Sequence, residues 1–107
     1  MRLFILFYLS LMLLSFNKHQ SNVHIATWYD TSGCPKVHRE HSTAAYNFLP
    51  LKSRAIVINL SNNKSDTVEI TDRMGKKSKN HIDLSKKSFG KLANLNSGVI
   101  RVRVIPL

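Results

Sequence analysis

A small, mainly β domain, closed into a barrel and carrying one short helix, is the fold class that the sequence predicts. Three observations carry that prediction. The chain has 107 residues, which on length is one domain at most. Its apolar stretches beyond residue 22 are short or alternate with a period of two, and Asn, Asp, Ser and Gly clusters bound them, as they bound strands. No long helical pattern separates the strands, and closing the sheet removes its exposed edges. The hydrophobic fraction of 43% and charged fraction of 21% are those of a globular chain rather than a disordered one. One Cys excludes a disulfide scaffold, and the length excludes a multidomain enzyme, a polytopic membrane protein and a dinucleotide-binding βαβ domain.

The first element lies outside the fold. Met1 and Arg2 form a short positive start, and residues 3–14 are apolar apart from Ser10. A spanning helix needs about 20 apolar residues, so this run fits the core of a secretory signal over residues 1–21, with the folded domain over 22–107. An uncleaved membrane anchor is the alternative. Lipid anchoring would need a Cys just after the apolar run, and Cys34 stands too far along. The expected location is therefore the periplasm, the cell envelope or the extracellular space. Without the signal, 14 basic and six acidic residues remain, a net charge of about +8. Such a protein meets anionic wall polymers, lipid headgroups or extracellular nucleic acid. Cys34 has no partner in the chain and reads as a buried thiol, a reactive thiol or an intermolecular link, with no functional role as the first reading.

Residues 24–29 are β-branched and aromatic and stop at the turn formers Asp30, Thr31, Ser32 and Gly33. Trp28 and Tyr29 are adjacent on this strand and point to opposite faces. Residues 54–60 form the next clear strand, and 61–65 a turn cluster. Val68 and Ile70 then alternate with Thr67, Glu69 and Thr71, giving a hairpin with one buried face. Residues 75–80 are basic and turn-rich, hence an exposed loop. Ser85 is a good N-cap, and Ser88, Phe89, Leu92 and Ala93 follow at helical spacing, so 85–93 is the helix and 94–98 ends it. Residues 99–105 are the last strand, with Arg101 and Arg103 on one face.

Six carboxylates are present: Asp30, Glu40, Asp66, Glu69, Asp72 and Asp83. Asp66 and Glu69 read as solvated surface. Asp83 stands between Ile82 and Leu84. A carboxyl among apolar neighbours tends towards a raised pKa, which suits a general acid. The plainer alternative is that Asp83 caps the following turn and Asp72 pairs with Arg73 or a backbone amide. His38, Arg39, Glu40 and His41 form a second cluster. Two His three apart could share a helix face, but zinc needs more ligands than these and no Cys pair exists, so no metal and no cofactor is expected. A solvated polar loop near the site is the expected reading. Phosphate loops and nucleophile elbows are absent, as is a Cys-His pair with an orienting third residue. Exposed aromatics beside carboxylates stack sugar rings, while core or rim packing is the alternative use of Trp28 and Tyr29.

Ala26-Thr27-Trp28-Tyr29, Ser42-Thr43-Ala44-Ala45, Leu49-Pro50-Leu51, Val57-Ile58-Asn59-Leu60, Thr71-Asp72-Arg73 and Ile82-Asp83-Leu84-Ser85 occur in that order. In number, order and spacing they resemble the double-psi β-barrel of the rare lipoprotein A (RlpA-like) family. The tail from His81 to Ile100 is also similar to the first domain of expansins. The resemblance implies a six-stranded double-psi β-barrel with one short helix and a polysaccharide groove. It implies binding to peptidoglycan glycan strands or other wall polysaccharide. The signal-like start and the low aromatic content argue against a nucleic-acid partner, the short apolar run argues against a membrane span in the mature form, and a monomer is expected. Some relatives are lytic transglycosylases, whereas expansins loosen wall polysaccharide without hydrolysing it. Asp72 matches the family's Asp-Arg motif and Asp83 the expansin Asp before Leu-Ser. The resemblance therefore implies Asp72 as acid/base, Asp83 as its orienting partner, and Tyr29, Asp30, Thr43, Tyr46 and Arg73 around the sugar. The chain departs from the family where Tyr46 replaces His, Met74-Gly75 replaces Gly-Pro and Asp30 replaces Gly; these departures touch cleavage more than fold or binding. Two functions follow: an endolytic lytic transglycosylase of the septal type, or a non-catalytic, expansin-like polysaccharide-binding domain.

Overall fold

The computed structural model describes residues 23–75 and 79–107. The signal segment proposed over residues 1–21 lies outside them. Six strands close into one barrel: β1 (Val23–Tyr29), β2 (Thr43–Ala45), β3 (Arg54–Asn59), β4 (Ser65–Asp72), β5 (His81–Ser85) and β6 (Ile100–Pro106). Around the barrel they run β1-β5-β2-β4-β3-β6. The expected hairpin is β3 against β4, antiparallel, with Ala55 opposite Val68 and Val57 opposite Asp66. Asn63 turns it in the left-handed region, which Asn tolerates well.

The sheet is mixed. β1 pairs parallel with β5 and β2 parallel with β4. Parallel partners need a crossover of a dozen residues or more. Here the crossovers are made by the intervening strands themselves, which is how a barrel without long helices contains parallel pairs. Periodicity does not mark β2 or β5, because three and five residues are too few to show it.

Alternation decides what faces inward. Ala55, Val57 and Asn59 on β3, Val68 and Ile70 on β4, Ile82 and Leu84 on β5, and Val102 and Val104 on β6 fill the interior. On β6 this leaves Arg101 and Arg103 on the outer side, the side their shared parity requires. The predicted helix is α2 (Lys86–Leu92). Ser85 caps it by accepting a bond from the Ser88 amide, and Phe89 and Leu92 are fully buried against the barrel. Trp28 turns inward and its Nε1–H donates to the Leu95 carbonyl at 3.0 Å, fastening the 3-10 turn Leu95–Ser97. Tyr29 takes the opposite face.

One segment expected as a loop has regular structure. Lys36–Glu40 forms a single helical turn, α1, with Pro35 at its start, where a fixed φ and a missing N–H cost nothing. Among the described residues no helix is long and apolar enough to cross a membrane.

Candidate functional site

Four residues from four adjacent strands lie in one row. Thr27 on β1 is the register partner of Asp83 on β5; Asp83 is the partner of Ala45 on β2; Ala45 is the partner of Asp72 on β4. Register partners project to the same face, here the face turned away from the core. The two carboxylates therefore flank Ala45, roughly 9.5 Å apart at the backbone, two inter-strand spacings. A methyl group between them leaves the floor open.

A bulge makes this possible. Ala44 pairs with Ile70, yet the next residue, Ala45, pairs with Asp72. Regular pairing would have placed Thr71 there. The extra residue re-aims the chain so that the carboxylate, not the threonine, stands beside Ala45.

The row opens into a cleft of about 390 Å³ lined by Tyr29, Cys34, Pro35, His38, Ala45, Asp72, Arg73 and Asp83. The Tyr29 hydroxyl and the Thr43 Oγ1 are 2.7 Å apart, and His38 Nδ1 lies 3.0 Å from the same Thr43 oxygen. Thr43 is buried, and its own amide donates to Ser85 Oγ at 3.1 Å, so the helix cap also anchors the site wall. Burial pushes the Tyr29 phenol above its ordinary value; its bond to Thr43 opposes this, and the charges of Asp72, Asp83 and Cys34 add to it. The phenol thus stays protonated at neutral pH, on the wall of the cleft that holds both acids.

Asp83 is half-buried and accepts a hydrogen bond on Oδ1 from Thr27 Oγ1 at 2.9 Å. Asp72 is exposed at the end of its strand. The expected pairing of Asp72 with Arg73 does not describe the arginine's partners: Arg73 Nη1 donates to the Tyr46 carbonyl at 2.8 Å and to the Leu49 carbonyl, clasping the following loop. Arg73 still contributes to the lining of the cleft.

Two residues expected at the sugar site lie elsewhere. Tyr46 is buried in the core, where its hydroxyl and His24 Nε2 are 2.9 Å apart and its ring meets those of His24 and Phe48 edge-on. Its backbone amide pairs with the Asp72 carbonyl at 2.9 Å, and alternation then sends its side chain inward. Burial raises the Tyr46 phenol. Asp30 is exposed in the turn after β1, where its Oδ1 accepts the Ser32 amide at 3.0 Å; that bond holds its carboxyl below the usual range. An Asp in a turn bonds its own chain two residues on, and this one does so instead of facing the cleft. Tyr46→Phe should then lower stability by about 1 kcal/mol, the worth of one hydrogen bond, and leave glycan affinity unchanged; urea unfolding and a sedimentation binding assay would check the two halves.

His38 is at the cleft, whereas His41 is the residue after α1 and enters through its backbone. Among the described residues no group of three His, Cys, Asp or Glu side chains is placed to hold a metal. Sequence reasoning missed Thr27 and His81 as site residues. Thr27 stands 56 positions from Asp83, and the only local sign of His81 was its place two residues before Asp83 on one strand face. A second hollow, about 430 Å³ and lined by Asn59, Ser61, Val99 and Arg101 among others, is slightly larger but has no carboxylate in its lining. Chemistry, not size, marks the first.

A family model described as "Lytic transglycolase" matches residues 21–104. Among curated relatives, the endolytic peptidoglycan transglycosylase RlpA of Rickettsia typhi is 32% identical over 97 residues, covering 81% of this chain and 30% of that protein. The RlpA of Neisseria meningitidis serogroup B is 34% identical over 86 residues, covering 74% of this chain and 36% of that protein. The chain thus spans about a third of the length of these relatives. Among solved structures, an expansin of Clavibacter michiganensis in complex with cellohexaose superposes with a TM-score of 0.65 at 16% identity, covering 80% of this chain and 50% of the expansin.

Proposed function

The chain belongs to the lytic transglycolase family of RlpA-like double-psi β-barrels, and from that membership we propose that it is an exported wall protein that binds peptidoglycan glycan strands in the Asp72–Asp83 cleft and cleaves them endolytically. The observation that carries this reading is the pair of carboxylates flanking Ala45 on one open face, with Asp83 tethered by a side chain and Asp72 not, among the described residues.

Lytic cleavage asks for one group that first protonates the glycosidic oxygen and then takes the proton of the sugar's own 6-hydroxyl as the anhydro ring closes. No water is activated, so the carboxylate separations of hydrolysing glycosidases do not apply. Such a group must be held still. Asp83 has one oxygen fixed by Thr27 and, among the described residues, no side chain bonded to the other, so the geometry supports Asp83 as acid/base, the reverse of the roles that motif matching implies. Asp72 lies across Ala45, on the side where its negative charge would steady the positive charge that develops on the sugar ring. Tyr29 presents a neutral hydroxyl at the wall. Export is supported by the apolar start of the chain, residues 3–14.

The test is incubation of the purified protein with amidase-stripped glycan strands and mass spectrometry of the products. Anhydro-ended fragments are the expected result. Their absence, with binding retained, selects the expansin-like binding domain. One observation favours that second reading: Tyr46, which stands where cleaving relatives have His, turns into the core. In either case about +8 of charge supplies part of the attraction to an anionic wall. Raising salt from about 50 to about 500 mM, which shortens the Debye length to well under 8 Å, should weaken wall binding several-fold in a sedimentation assay; equal retention at both would remove the electrostatic contribution.

A further inference from the structure

The Thr27 hydroxyl touches two side chains at once. It lies 2.9 Å from Asp83 Oδ1, to which it donates, and 2.7 Å from His81 Nε2. A hydroxyl has one proton and two lone pairs. With that proton directed to Asp83, the His81 contact is a hydrogen bond only if Nε2 carries a proton and gives it to Thr27. The chain of bonds then has one direction, from His81 to Thr27 to Asp83.

The three residues are held by one pair of strands. His81 and Asp83 are two apart on β5 and share its outer face, and their partners on β1 are Ile25 and Thr27. The chain sits at the end of the row opposite to Asp72.

We propose that His81 is a positioning residue: by donating to Thr27 it points the Thr27 proton at Asp83 Oδ1 and so makes Oδ2 the oxygen presented to the cleft. This rests on the reading of Asp83 as acid/base. Consecutive bonds polarise one another, so the His81 donor strengthens the Thr27 bond to the carboxylate. Without it the Thr27 hydroxyl is free to turn and accept from Asp83, and the exchangeable proton settles on Oδ1, facing away from the sugar. His81 does not touch substrate in this scheme and acts only through Thr27.

Two measurements on the full chain test it. In the free protein, nitrogen-15 NMR of neutral His81 should show the proton on Nε2, protected from exchange with water, and Thr27→Val should abolish that protection. A proton on Nδ1 instead, or an Nε2 proton exchanging as fast in wild type as in Thr27→Val, overturns the proposal. In glycan cleavage, His81→Phe should lower kcat about tenfold with KM within twofold, while His81→Gln, which keeps an N–H at the same reach, should restore kcat to within about threefold of wild type. Wild-type kcat in a folded His81→Phe also overturns it. Complete absence of cleavage by the wild type removes the enzymatic reading alone, and the NMR result then decides the orientation of the bond chain.

Discussion

Asp83→Asn is expected to reduce formation of anhydro-ended glycan by a hundredfold or more while the barrel melts at its wild-type temperature. The amide keeps the size of the carboxyl and still offers Thr27 an oxygen, so the tether at 2.9 Å survives. What is lost is the proton, and a positioned acid/base contributes typically two to four orders of magnitude. Asp72→Asn removes charge from the far side of Ala45 without touching the donor, and should cost about tenfold. The ratio of the two losses is the informative quantity. A larger loss for Asp72 returns the acid/base role to the residue that motif matching favours. Full activity in both variants would move the search to His38, which faces the same cleft from α1. Product quantification by mass spectrometry, with circular dichroism melts of each variant, gives both readouts.

The largest effect on stability is expected from Phe89→Ala. Phe89 is fully buried, and with Leu92 it seats α2 on the barrel. Truncating a buried Phe costs about 3–5 kcal/mol, against a total of about 5–15 kcal/mol for a domain. At roughly 4–8 °C per kcal/mol in a domain of this size, the midpoint should fall by more than about 12 °C. The consequence reaches the site. α2 is capped by Ser85, whose Oγ accepts the amides of both Ser88 and Thr43, and Thr43 is the partner of Tyr29. Loosening the helix therefore loosens the wall of the cleft, and glycan affinity should fall with stability. Urea unfolding followed by fluorescence of Trp28 measures the first quantity; a loss below 1 kcal/mol would mean that α2 contributes little to the fold.

Much of the architecture was legible in residue order. Val68 and Ile70 set against Thr67, Glu69 and Thr71 require a half-buried strand, and the turn cluster before them requires a hairpin, because side-chain direction alternates with a period of two whatever the rest of the chain does. Ser85 followed by Phe89 and Leu92 marks α2 for the same kind of reason: a cap and a helical repeat are local properties. Asp72 and Asp83 stand in motifs that carry the resemblance to the RlpA-like family, which the family match and the closed six-strand barrel establish.

Tertiary structure decided the rest, since it concerns groups that meet only after the barrel closes. The parallel pairs β1–β5 and β2–β4 join segments far apart in the chain, and no local period encodes a parallel partner. The bulge at Ala45 sets the side on which Asp72 emerges, and strict alternation alone would have put Thr71 beside Ala45. Tyr46 takes the core side because its backbone pairs with Asp72 there, and Asp30 is consumed by its own turn. The bonds from Thr27 to Asp83 and His81 span more than fifty positions. Patterning thus determined which residues lie in strands and helix and which acids are available, because those follow from backbone geometry repeated over a few residues. Which acid is held, by what, and facing which oxygen follows from the register between strands, and register is set only when the whole barrel closes around one core.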